Sequence, residues 1–243
     1  MGLSPSTLFH FTSKKGLLGI LKENFKIKYC LEEISHAEKP VKIAIPMVSF
    51  CDIKISEITE HIEKYGYYGI GLSKDWAIQN GLNPAVYVNT ESSFCNDLIS
   101  VARKLFSDKK IDQTERVKQA NILRYIKTYE GSLTRKGKTI QKYRFADERE
   151  WRYVPNYDSS FLAWLGLEQY STPEQKKLRN EELKNEKLTF TANDILYIIV
   201  KEEKEIDEII RHIRNVKGMN YSLNEIERLT TRILSCERII NDF

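Results

Sequence analysis

A chain of 243 residues with 41% apolar and 30% charged side chains can bury a core without disulfide staples, and this balance fits a globular protein and argues against disorder. The net charge of +4, with acids and bases interspersed, does not by itself diagnose nucleic-acid binding. No apolar run approaches ~18 residues, so none reads as membrane-spanning, and MGLSPSTLFHF lacks the basic stretch and apolar run of a secretory signal.

Leu8-Phe9-His10-Phe11 reads as a short strand. Thr12 or Ser13 then caps a helix to about Asn24, with Leu17, Leu18 and Leu21 on one face. Ile27 to Tyr29 is extended, and Glu32 to Lys42 is polar and loop-like. Ile43 to Phe50 is a strand in which Pro46 predicts an edge or a bulge. Ser56 is a candidate cap for a helix ending before Gly66. Tyr67 to Leu72 reads as a strand, Ser73 caps a short helix closed by Gly81, Asn83-Pro84 is a turn, and Ala85 to Val88 is a strand.

One or two charged helices are predicted from about Asn96 to Glu130. A loop from Gly131 to Lys138 and strands near Gln141 to Phe145 and Trp151 to Val154 follow. Pro173 to Lys187 is helical. Ile195 to Val200 (ILYIIV) reads as a strand buried on both faces. Glu203 to Val216 is an amphipathic helix, and Ser222 or Asn224 starts a last helix reaching almost to the C-terminus. Uneven alternation of strands and helices predicts one α+β domain, a central mixed or antiparallel sheet flanked by helices. Its expected division is a core over residues 1–200 and a C-terminal helical segment, 201–243, packed on it.

Cys30, Cys51, Cys95 and Cys236 form no CxxC pair, and no histidine stands at zinc-ligand spacing from them. The expectation is reduced thiols in a cytoplasmic protein with no metal and no membrane partner.

Four features can carry chemistry. His10 lies on an apolar strand beside Thr12 and Ser13, either as a core histidine or as a ligand-orienting one. Glu148 and Glu150 share a strand face if their segment is extended, since strand side chains alternate. Such a carboxylate pair serves as base and positioner, or sits on a solvated edge strand. Tyr65-Gly66-Tyr67-Tyr68-Gly69-Ile70-Gly71-Leu72 lets backbone or ligand approach closely, but it lacks the dinucleotide fingerprint. Arg135, Lys136, Lys138, Lys142 and Arg144 crowd around Gly137, suited to phosphates or to a solvated loop.

Three segments together, LFHFTSKKGLLGILKENF, PMVSFCDIKISEITEHIEKYGYYGIGLSKDWAIQNGLNPAVYV and FADEREWRYVP, resemble the AbiGi family of abortive-infection proteins, usually described as the antitoxin side of a phage-resistance system. The likeness spans roughly residues 7 to 200 and implies bacterial phage defence with a partner toxin or phage-derived protein. A more distant likeness is to the ADP-ribosyltransferase fold, including DarT-like enzymes. That likeness implies NAD as cofactor, with His10 orienting its ribose and Thr12 assisting. It further implies that Glu148 or Glu150 stabilises the oxocarbenium-like transition state, and that Tyr29, Tyr68 or Tyr87 stacks on nicotinamide. The chain departs from that pattern in lacking an early arginine for the phosphates and a Ser-Thr-Ser strand. The readings in play are an NAD-dependent transferase acting on nucleic acid or protein, a non-catalytic antitoxin that neutralises a toxin, and a nucleic-acid-binding module.

Overall fold

Three serines set the starts of three helices. Ser13, Ser73 and Ser222 hold extended backbone, and each hydroxyl accepts the amide three residues on, from Gly16 at 3.2 Å, Trp76 at 3.2 Å and Glu225 at 3.4 Å. The computed structural model describes residues 4–34, 40–108, 110–135, 137–157, 160–217 and 221–242. The chain folds into two compact units interleaved in sequence.

The first unit takes the N-terminal residues to Lys26, Ser49–Leu82 and Lys187 onward. At its centre the strand Thr7–Thr12 runs antiparallel to Tyr68–Ser73, with Phe9 opposite Gly71 and Phe11 opposite Gly69. On its other side Phe9 pairs with Cys51, the end of the Val41–Cys51 strand. Ile195–Val200 lies antiparallel to Tyr68–Ser73, and Ile233–Ser235 adds a parallel edge to it. The result is a mixed sheet with helices such as Lys14–Glu23, Thr59–Tyr65 and Ile206–Lys217 belonging to the same unit. Phe9, Phe11, Ile58, Ile62, Ile199 and Ile239 form one of its apolar clusters.

The glycines of the Tyr68–Ser73 strand owe their small size to the facing rings. A Cβ at Gly69 would stand 2.8 Å from the Phe11 ring, and one at Gly71 would stand 2.8 Å from the Phe9 ring. The close approach that this motif permits is therefore made by aromatic side chains of the neighbouring strand.

The second unit takes Ile27–Val48 and Asn83–Glu186. Lys28–Ile34 pairs antiparallel with Val41 to Met47, and Leu165–Gly166 flanks the same strand at Ala44 and Ile43. Ile43 and Ala44 therefore have a strand on each side, which corrects the expectation of an edge there. Pro46 is tolerated because it stands opposite Tyr29, whose own N–H donates to Asn180 Oδ1 at 2.9 Å. The Tyr29 carbonyl accepts the Tyr170 hydroxyl at 2.6 Å, so the ladder asks no donor of Pro46.

Val86–Val88 pairs parallel with Ile126–Thr128. Helices Ser93–Ser107 and Gln113–Leu123 pack through Ala102, Leu105, Ala120 and Leu123.

Several expectations change. The predicted loop from Gly131 to Lys138 is mostly strand: Glu130–Arg135 and Lys138–Arg144 form a hairpin whose turn uses Gly137 at φ +77°. The last helix is two, Leu223–Thr230 and Cys236–Asp242, separated by the Ile233–Ser235 strand. Ser56 sits inside a 3-10 turn, Ile55–Glu57, instead of capping Thr59–Tyr65. Asn83-Pro84 pairs with Trp151 and Arg152 as a short strand. Among the described residues no helix is long and apolar enough to cross a membrane.

Candidate functional site

Glu148 and Glu150 are brought close by a turn, not by strand alternation. Glu148 ends a 3-10 turn, Phe145–Glu148, Arg149 adopts the left-handed conformation at φ 46°, and Glu150 begins the strand Glu150–Tyr153. Both carboxylates are buried, at 5% and 4% exposure, which corrects the solvated-edge alternative.

Lys127, from the Ile126–Thr128 strand, reaches both of them: its Nζ donates to Glu148 Oε2 at 3.1 Å and also to Glu150 Oε2. Arg152, two residues along the same strand face, donates from Nε to Glu150 Oε1 at 2.8 Å. Its other nitrogens meet Glu32 Oε2 at 3.1 Å and the carbonyls of Arg124 and Ile126 at 3.0 and 3.3 Å. The Glu150 amide donates to the Tyr87 hydroxyl at 2.8 Å.

The electrostatics follow from this geometry. Burial pushes the Glu150 carboxyl up, but the charges and hydrogen bonds of Arg152 and Lys127 outweigh it and hold it at about 2. Burial opposes the charges of Lys127 and Arg152, yet the surrounding carboxylates keep both well above their ordinary values. Burial lifts Tyr87 to about 12. Glu150 is therefore an ionised acceptor with protein cations on both oxygens. A carboxylate that is to stabilise developing positive charge on a substrate needs that charge to be the substrate's.

His10, in the other unit, packs edge-on to Phe25 at 5.3 Å between ring centroids and lies 5.7 Å from Phe50. Its Nδ1 stands 2.8 Å from the Ser49 carbonyl, so Nδ1 carries the proton. Burial lowers its pKa, with the Ser49 bond opposing, so the ring is neutral at pH 7. Thr12 packs against Gly16, where a Cβ would meet its Oγ1 at 2.2 Å. The Tyr68 hydroxyl donates to Glu205 Oε1 at 2.7 Å, and Lys14 donates to the same oxygen at 3.1 Å. Tyr29 donates its hydroxyl to the Leu162 carbonyl at 2.6 Å. The groups expected to hold NAD are thus engaged by protein partners within their own units.

Arg135, Lys138, Lys142 and Arg144 line the exposed hairpin, and Lys136 lies outside the described residues. No group of three metal-ligating side chains is found among the described residues, and Cys30, Cys51, Cys95 and Cys236 form no disulfide.

Sequence reasoning missed Lys127, Glu32 and the role of Arg152. Arg152 was within reach, because it stands two places from Glu150 and so shares its face. Lys127 and Glu32 come from distant strands and leave no local signal. Arg124, 1% exposed, was also missed. It donates to Asn121 Oδ1 at 2.7 Å and to the Pro155 carbonyl at 2.8 Å, and burial draws its pKa down to about 10.

Residues 23–201 match the family model provisionally described as abortive phage resistance protein AbiGi, antitoxin. A protein of Lactococcus lactis subsp. cremoris named abortive phage resistance protein AbiGi is 31% identical over 234 residues, covering 87% of this chain and 94% of the relative. No solved structure matches the chain.

Proposed function

The chain belongs to the AbiGi family of abortive phage-resistance proteins, and on that premise we propose that it is a non-catalytic antitoxin that binds and neutralises a partner toxin. The observation that carries this reading is the state of Glu150. Lys127 and Arg152 hold both its oxygens, which suits a carboxylate that organises a core better than one that meets a substrate. The engaged state of His10 and Tyr68 supports the same conclusion.

A partner needs a docking face. The helix Ser93–Ser107 buries Cys95, Ile99, Ala102 and Leu105, but leaves Phe94 and Val101 exposed at 56% and 55%. Seven residues apart, they lie on one helical face beyond the one used internally. An apolar pair of this kind suits an anchor on a partner protein.

The test is co-expression with the product of the neighbouring gene. Rescue of growth and co-purification are expected, and Phe94→Glu with Val101→Glu should abolish both while leaving the melting temperature within a few degrees. Co-purification and rescue that survive both changes would place the interface elsewhere. Failure of the wild type to bind or rescue would reject the antitoxin reading. Calorimetric titration with NAD separates the alternative: saturable binding weakened by His10→Ala would restore the transferase reading.

A further inference from the structure

From the Glu130–Arg144 hairpin we infer that the protein binds duplex DNA, with this two-stranded ribbon as the element that meets the groove. The first observation is where the charge lies. Residues 130–144 hold five bases, Arg135, Lys136, Lys138, Lys142 and Arg144, against one acid, Glu130, a net +4. The whole chain is also +4, so the rest of the sequence is neutral. The hairpin is thus a local concentration of positive charge, toward which a polyanion is steered.

The second observation is the arrangement of the ribbon's faces. Thr134 and Thr139 are cross-strand partners whose hydroxyls lie 2.9 Å apart, and the Ser132 hydroxyl donates to Gln141 Oε1 at 3.1 Å. All four side chains are exposed, so they form a solvated face of neutral donors and acceptors. Leu133, on the alternate face, is buried and fixes which side points outward.

Exposed cations stand on the ribbon beside this polar face, with Arg135 and Lys138 on the alternate face, each two residues from Leu133 or its partner Ile140. Lys138 stands at the tip opposite Arg135, Lys142 lies where the register shifts between Ile140 and Tyr143, and Arg144 closes the base. Such charges position a ribbon on phosphates, while Ser, Thr and Gln side chains contact base edges.

The third observation is shape. The hairpin is a sheet of two strands only, of six and seven residues. Two strands about 4.8 Å apart fit the roughly 12 Å major groove of B-form DNA. The deep, narrow major groove of A-form RNA does not admit them. This inference stands independently of toxin binding.

The experiment is fluorescence anisotropy with a labelled mixed-sequence duplex of about two helical turns, at several salt concentrations between about 50 and 200 mM. The wild type is expected to bind with a log–log salt slope near −3 to −4, since each phosphate contact contributes about −0.9. Lys138→Glu with Lys142→Glu should weaken binding at least about tenfold and flatten the slope by roughly two units. The same charge change at Lys15 and Lys22, exposed on the Lys14–Glu23 helix, should leave it unchanged. Absence of binding at the lowest salt would overturn the inference. So would equal loss in both double variants, or tighter binding to duplex RNA or to either single strand.

Discussion

Arg152 Nε donates to Glu150 Oε1 at 2.8 Å from two positions along the same short strand, and both side chains are buried. Neither charge is tolerable alone in that environment. Together with Lys127 they make a unit in which each member compensates the burial of the others. Glu150→Ala is therefore expected to destabilise the fold by about 3–5 kcal/mol, because it strips buried cations of their acceptor. Urea denaturation measures this. Asp147→Ala serves as the contrast, because its exposed pair with Arg144 is 3.7 Å long and its loss should cost less than about 0.5 kcal/mol. If Glu150→Ala folds as stably as the wild type, the carboxylate was held for a substrate instead.

The same network sets the response to acid. The Glu150 carboxyl is held at about 2, below its ordinary 4.5, so its protons bind more readily in the unfolded chain. Its stabilisation is full above pH 4.5 and is lost as pH falls toward about 2. Lys127 is shifted upward from 10.5, so its contribution is full below that value and is lost as pH rises through the raised one. Glu150→Gln should flatten the dependence of stability on pH across the acid window. Stability measured at a series of pH values from 5 to 2, unchanged in slope by this substitution, would refute the account.

His10 should titrate below its ordinary value of 6.5, because burial disfavours the imidazolium more than the Ser49 bond favours it. A depressed pKa means that the neutral ring's contribution is present above pH 6.5 and is lost as pH falls through the folded value. Proton–nitrogen correlation spectra of the ring give both the midpoint and the tautomer. The expected tautomer is protonated at Nδ1, which donates to the Ser49 carbonyl. A midpoint at or above 6.5, or an Nε2-protonated ring, would contradict the structure.

Local chemistry was legible in the sequence where it acts locally. The caps at Ser13, Ser73 and Ser222, the buried Ile195–Val200 strand and the helix closing at Gly81 follow from one or two residues each. Of the hairpin, the strand near Gln141 was legible, but Glu130–Arg135 was hidden because its exposed residues are polar in place of the apolar alternation that marks a half-buried strand. The Ile233–Ser235 strand was hidden by its brevity, since three residues between helices take their conformation from pairing with Ile198–Val200. The candidate site was half legible for a related reason. Glu148, Glu150 and His10 stood out as residue types, but whether a buried carboxylate faces a substrate or a lysine depends on Lys127, which a distant strand delivers.

The paired glycines give the most direct check on the first unit's sheet. Phe9 lies opposite Gly71 and Phe11 opposite Gly69, and a methyl at Gly71 would come within 2.8 Å of the Phe9 ring and 2.9 Å of Thr7 Cγ2. Both obstacles are side chains of a buried central strand, and neither can swing into solvent. Gly71→Ala is expected to cost about 1–3 kcal/mol through overpacking. Gly19, inside the Lys14–Glu23 helix, has nothing within 4 Å of its Cβ position, so Gly19→Ala should raise stability by about 0.5–1 kcal/mol. Thermal melts of the two variants should move in opposite directions. A neutral Gly71→Ala would mean that these rings do not cover the glycines, and the close approach would again be open to a ligand.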